Sequence, residues 1–174
     1  MSWTIRRATR ADVHVVVAIV ESAYRGELSR AGWTTEADLV GGQRTDAGEV
    51  LTCIERPRSV VLLAEPVGEV VACAHVTVED EAGYFGLFAV TPTLQGGGIG
   101  TRLLAEAERI VQDEWRLPTM RMTVIDVREE LLAYYGRRGY ARTGIKKPFP
   151  YGDDRYGPRR ADLRFEVLEK RLAR

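Results

Sequence analysis

Two cysteines in 174 residues, Cys53 and Cys73, are too few and too isolated to form a disulfide framework. Neither belongs to a Cys-x-x-Cys pair, and the chain has only two histidines, His14 and His75, so no metal-ligand spacing arises. Two buried free thiols in a reducing cytoplasm are expected. No apolar run approaches the roughly 18 residues that a membrane span needs. The first ten residues are polar and basic, without the apolar core of a signal segment. Net charge is absent too: 25 Lys plus Arg balance 25 Asp plus Glu. A chain with no charge excess lacks the overall footprint of a nucleic-acid or membrane-surface binder. Repeats and low-complexity tracts are missing as well. These absences point to a cytoplasmic, soluble protein, a monomer or homodimer, with neither nucleic acid nor membrane as partner.

What is present is ordinary globular composition, 45% apolar and 29% charged. The length suits one domain over residues 1–174, large enough to bury a core unaided. Charge is unevenly spread. Residues 137–174 carry 12 basic against 5 acidic side chains, and the rest carries the compensating acidic excess. Such a segment either attracts an anionic ligand or is a solvated surface.

Periodicity predicts the elements. Residues 2–8 read as a strand. Residues 9–24 read as a helix, with Val13, Val16, Val17 and Val20 on one stripe. Thr34-Thr35-Glu36 opens an expected second helix through about Arg44, and residues 49–55 a short third. Residues 59–64, 69–78 and 83–90 read as three hairpin-linked strands. Residues 98–115 form a long helix whose stripe is Ile99, Leu103, Leu104, Ala107, Ile110, Val111 and Trp115. A strand (119–125), a helix (128–137), a short strand (140–143), a loop (145–161) and a last strand (162–168) follow. This order implies an α/β domain of the α+β type, a mixed sheet flanked by helices.

The informative stretch is LFAVTPTLQGGGIGTRLLAEA, residues 87–107. A strand ends, Gly96, Gly97, Gly98 and Gly100 follow, and a helix begins. Glycine lets the backbone turn sharply and approach a ligand. The unpaired N–H groups of the first helical turn, with the helix dipole, suit a phosphate or pyrophosphate. A P-loop needs Gly-Lys, and the chain has no such pair. A dinucleotide fingerprint Gly-x-Gly-x-x-Gly fails at Thr101 when started from Gly96, and at Leu103 when started from Gly98.

The sequence Gln95-x-x-Gly98-x-Gly100 resembles the acyl-CoA pyrophosphate loop of the GNAT superfamily of N-acetyltransferases. Tyr135-Gly-Arg-Arg-Gly139-Tyr140 resembles that family's Tyr-x-x-x-Gly-Phe/Tyr helix ending, in the right order and spacing. The phrases GWTTEADL, RRGYARTG and PFPYGD are similar to a bacterial subgroup of unassigned substrate. The resemblance covers roughly residues 3–170. It implies a mostly antiparallel sheet, splayed where the cofactor enters, and acetyl-CoA as cosubstrate. Carried over, Phe88, Ala89 and Val90 offer backbone partners to the pantetheine arm, and a backbone N–H there polarises the thioester. Gln95, Gly96, Gly97, Gly98, Ile99, Gly100, Thr101 and Arg102 hold the pyrophosphate. Tyr135 serves as general acid toward the leaving thiolate.

The sequence departs from the family at two places. Where many members carry an Asn touching pantetheine, this chain reads Asp126-Val127-Arg128, so Arg128 is the candidate replacement. Where many carry a Glu as base, the strand reads Tyr84-Phe85. The base stays open among His75, Glu79, Glu81, Asp126 and water. His75 reads first as a structural strand residue. No Gly-x-Ser-x-Gly nucleophile occurs, which favours direct attack of a small primary amine on acetyl-CoA in a ternary complex. The rival is a non-catalytic acyl-CoA sensor or scaffold. The loop 145–161, with Lys146, Lys147, Arg155, Arg159, Arg160, Phe149, Tyr151 and Tyr156 against Asp153 and Asp154, is expected to form a basic lid over an anionic amine.

Overall fold

A computed structural model describes residues 3–152 and 157–172. Strands β1 (Trp3–Arg7), β2 (Ser59–Pro66), β3 (Ala72–Glu79), β4 (Ala82–Val90), β5 (Thr119–Ile125), β6 (Ala141–Pro148) and β7 (Arg164–Arg171) form one sheet in the order β1-β2-β3-β4-β5-β7-β6. Every neighbouring pair is antiparallel except β4 with β5. Helices are α1 (Val13–Tyr24), α2 (Ala47–Glu55), α3 (Ile99–Arg109) and α4 (Glu129–Arg137).

Side-chain alternation along the strands sends successive residues to opposite faces. Val61 and Leu63 of β2 join Val16, Val20 and Ala23 of α1 and Val50 of α2 on one side. Leu62 and Ala64 join Leu103, Leu104 and Ala107 of α3 and Leu131 of α4 on the other. The long expected helix is α3, extended by a π turn over Ile110–Glu114.

Two expectations need correction. Residues 34–44 do not form a helix. Leu39 and Val40 each donate to the Glu36 carbonyl at 2.8 Å, and the turn goes no further. Val40 instead bridges Pro158 and packs with Ile125, Phe149 and Leu163. Gly41 N–H donates to the Gly157 carbonyl at 2.7 Å, and a Cβ on Gly157 would meet the Gly42 nitrogen at 2.7 Å. Tertiary burial of Val40 and this close backbone approach override the local cap signal. The expected loop from residue 145 also begins late. Ile145 through Pro148 continue β6, where Lys146 and Arg142 hold the buried Glu166 carboxylate from across the strand pair. Asp153, Asp154, Arg155 and Tyr156 lie outside the described residues.

Candidate active site

The site arises where the sheet fails to stay closed. β4 and β5 pair only at Gly83 with Met120 and Tyr84 with Arg121. Beyond that, β4 carries a bulge. Cys73 faces Ala89 but His75 faces Gly86, so Leu87 and Phe88 together oppose Ala74, with Leu87 at φ 44°. A bulge bends a strand and re-aims its backbone. The parallel strands therefore part, and a groove opens on one side and a cavity on the other.

The glycine loop forms the groove. Gly96 and Gly98 have φ of 89° and 84°, the left-handed region that glycine enters without strain. α3 starts directly after Gly98, so its first-turn N–H groups lack helical partners and meet the groove. Gly100 has a second reason to be glycine: a Cβ there would lie 2.6 Å from the Phe88 ring. Ile99 is buried in the core, which leaves its backbone as its contribution. Arg102 is exposed one position beyond Thr101. Thr101 Oγ1 accepts from Arg138 at 2.8 Å, and the Arg138 guanidinium lies 3.5 Å from the Tyr134 ring centre. Arg138 thus adds a cation at the same helix end. Only the second arginine of Gly-Arg-Arg-Gly signalled it in the sequence.

The Gln95 side chain turns away from the glycines. Its Oε1 accepts from Trp33 N–H at 2.8 Å, and its Nε2 donates to Thr34 Oγ1 at 2.7 Å and to the Val90 carbonyl at 3.1 Å. Arg128 grips the same segment. It donates to the Thr34 carbonyl and, at 3.0 Å, to Glu36 Oε2. Arg25 bonds the other oxygen of Glu36. Residues 33–36 are thereby fixed as the wall between groove and cavity. Burial opposes ionisation of Glu36, but Arg128, Arg25 and Arg44 outweigh it and hold its carboxyl below the usual range.

The cavity, about 650 Å³, lies between the end of α1, α2, β4, β5 and Phe149. Tyr24, Phe88 and Leu131 line both groove and cavity. The Tyr24 hydroxyl donates to the Phe88 carbonyl, and burial pushes its pKa up to about 12. The two tyrosines of α4 divide: Tyr134 lines the groove and Tyr135 the cavity. Tyr135 is buried, which raises its pKa well above that of a free phenol and keeps it protonated. The Val90 and Phe88 carbonyls are engaged by Gln95 and Tyr24, and Ala89 is in the ladder with Cys73.

Of the four open base candidates, His75 and Glu79 line the cavity, whereas Glu81 and Asp126 do not. His75 bonds Ser59 at 2.7 Å, and burial pushes its pKa down to about 4. Asp126 is held by Lys146 and Arg164. Tyr84, standing where the family often has a carboxylate, shares a 2.7 Å bond with Thr123. The expected basic lid is not over the cavity among the described residues. Arg159 lies against Gly41, and Arg160 pairs with Asp162 at 2.8 Å. Phe149 and Pro150 do reach it.

The Acetyltransferase (GNAT) family profile matches residues 18–140. The chain is 34% identical over 110 residues to an IAA acetyltransferase of Azospirillum brasilense, spanning 60% of this chain and 67% of that protein. It is similar in structure to a ribosomal-protein-alanine N-acetyltransferase from Brucella melitensis, with TM-score 0.72, 24% identity, and coverage of 97% of this chain and 99% of that one. The PaiA N-acetyltransferase of Thermoplasma acidophilum, solved with coenzyme A, gives TM-score 0.69 at 16% identity over 99% of this chain and 100% of its own. At such identities the structural likeness is one of fold.

Proposed function

The chain belongs to the GNAT acetyltransferase family, and from that premise we propose that it transfers an acetyl group from acetyl-CoA to a small primary amine by direct attack in a ternary complex. The observation that carries this reading is the parting of β4 from β5, with a glycine-lined groove and a separate cavity meeting at Tyr24, Phe88 and Leu131. Two substrates need two compartments that touch, and a groove and a cavity sharing three lining residues support that reading.

The glycine loop fits a pyrophosphate, because Gly96 and Gly98 turn the chain and Gly97 has no contact closer than 3.6 Å to a built Cβ. Arg102 and Arg138 supply positive charge beside it. When bound, acetyl-CoA supplies a thioester that an amine attacks, forming the amide and releasing the thiol. Tyr135, protonated before the reaction, donates its proton to the departing thiolate, and solvent then restores the proton to its phenolate. The bulge at Leu87 and Phe88 aims backbone toward the carbonyl. The amine's proton leaves through the cavity, whose wall includes neutral His75 and the Glu79 carboxylate. Cys53 lines the cavity but burial pushes its thiol up to about 11, and Cys73 is pushed up to about 12. Thiols so high are poor nucleophiles at neutral pH, which supports direct transfer. Initial-velocity patterns test this: intersecting lines are expected, and parallel lines with an acetylated protein in the mass spectrum would contradict it.

A further inference from the structure

The wall of the cavity carries four guanidiniums, Arg25, Arg44, Arg56 and Arg128, against the carboxylates of Glu36, Glu49 and Glu79. Their distribution is uneven. Arg25 and Arg128 share the single carboxylate of Glu36. Glu49 accepts from Thr45 Oγ1 at 3.0 Å. Among the described residues, the Arg44 guanidinium donates no hydrogen bond to a carboxylate or a carbonyl. It rests 5.8 Å from the centre of the Tyr24 ring. Its main-chain N–H alone is tied, to Glu21 Oε1 at 2.7 Å. Arg25, Arg44 and Arg128 face the carboxylates of Glu36 and Glu49, which leaves an excess of positive charge on this part of the cavity wall.

A guanidinium has five N–H donors in a planar fork, and that of Arg44 is partly buried on the cavity wall. The fork matches a carboxylate or phosphonate bidentately. Arg44 is also well placed. Its neighbour Tyr24 reaches from it to the Phe88 carbonyl, the point where groove and cavity meet. An anionic group on Arg44 therefore leaves a nitrogen a few bonds away near the bulge of β4. The rest of the wall is apolar and aromatic, with Phe85, Met122, Leu131, Phe149 and Phe165.

We propose that Arg44 is the anchor for the acceptor, and that the acceptor is an amino-acid-like amine: a primary amine with a carboxylate or phosphonate and an apolar body. This deepens the acetyl-transfer reading and rests on it. It also moves the anion grip away from Arg159 and Arg160, which do not line the cavity. A polyamine is disfavoured, since it has no anionic group to meet Arg44.

The test compares matched amines with acetyl-CoA: an apolar amino acid, the corresponding aminoalkylphosphonate, the amino-acid carboxamide, and spermidine. Both anionic amines should exceed the carboxamide and spermidine at least ~10-fold in kcat/KM, mostly through KM. In Arg44→Met the advantage of the anionic amine over its carboxamide should collapse to within about threefold, and Arg44→Lys should restore part of it. A second arm needs no turnover: calorimetry of the amino acid with the CoA-loaded protein, wild type against Arg44→Met. Affinity should fall by at least ~10-fold in the variant. A polyamine preference, or equal affinity in wild type and Arg44→Met, overturns the anchor. If only one anionic class gains, that class is the substrate group. If no amine releases CoA, the acetyl-transfer reading fails, and calorimetry still decides the anchor.

Discussion

The hydroxyl of Tyr24, the last residue of α1, donates to the main-chain carbonyl of Phe88 in the bulge of β4. One side chain thus ties the first helix to the strand that opens the sheet. It also forms part of both groove and cavity. Replacing Tyr24 with Phe keeps the ring and removes the bond, leaving a buried carbonyl unpaired. The cost should be about 1–3 kcal/mol in urea unfolding, with a lower kcat. Unchanged stability and unchanged kcat would show that the link does not hold the bulge.

The groove is tested most cleanly at Gly97. Gly96 and Gly98 have positive φ, so a side chain there is strained whatever the ligand. Gly100 would collide with Phe88. At Gly97 a Cβ meets only the Leu94 carbonyl, at an ordinary 3.6 Å. Gly97→Glu should keep the melting temperature and lose acetyl-CoA binding in calorimetry. Full affinity in a folded variant would remove the glycine loop from the cofactor site.

Tyr135→Phe should lower turnover by about 100- to 10,000-fold with near-normal acetyl-CoA affinity, as expected for a proton donor. Full turnover would reduce Tyr135 to a packing residue beside Tyr134 and Tyr140.

His75 gives stability a pH dependence. It is neutral in the fold, with a pKa near 4 against 6.5 for a free imidazole. Between those values the unfolded chain binds more protons, so stability is full above 6.5 and declines as pH falls toward 4. The urea midpoint should drop between about pH 7.5 and about pH 5, and His75→Gln should flatten that drop. An equal drop in both proteins would place the titration elsewhere.

Much of this architecture was legible in the residues. The glycine run announced a turn into α3 suited to a phosphate, and the stripe from Ile99 to Trp115 announced one helical face, of which Ile99, Leu103, Leu104, Ala107, Ile110 and Val111 are buried. The splay followed from the family resemblance. Long-range contacts were not legible. Tyr24 ends an apolar stripe and looks like core, and nothing local announces a partner 64 residues away. Residues 34–44 carried a helix cap, yet Glu36 is claimed by Arg25 and Arg128 and Val40 by the far end of the sheet. Arg128 looked free to meet pantetheine for the same reason: its partner lies 92 positions earlier. The basic loop was read from its length, its charges and the family resemblance, none of which says where each side chain points. Arg160 turns to Asp162 and Arg159 to Gly41, whereas Arg44, inconspicuous in GQRTD, lines the cavity.

In the proposed reaction an acyl group passes from a CoA thioester held by the glycine groove to an amine held in the cavity. Free thiol and N-acetylated product, measured together by absorbance and mass spectrometry with acetyl-CoA and a panel of small amines, test it most directly. Thiol should appear only when an acceptor is present, in step with an equal amount of N-acetyl product, and both should vanish in Gly97→Glu. Acetyl-CoA binding without thiol release from any amine would contradict it and leave a protein that holds the thioester without using it.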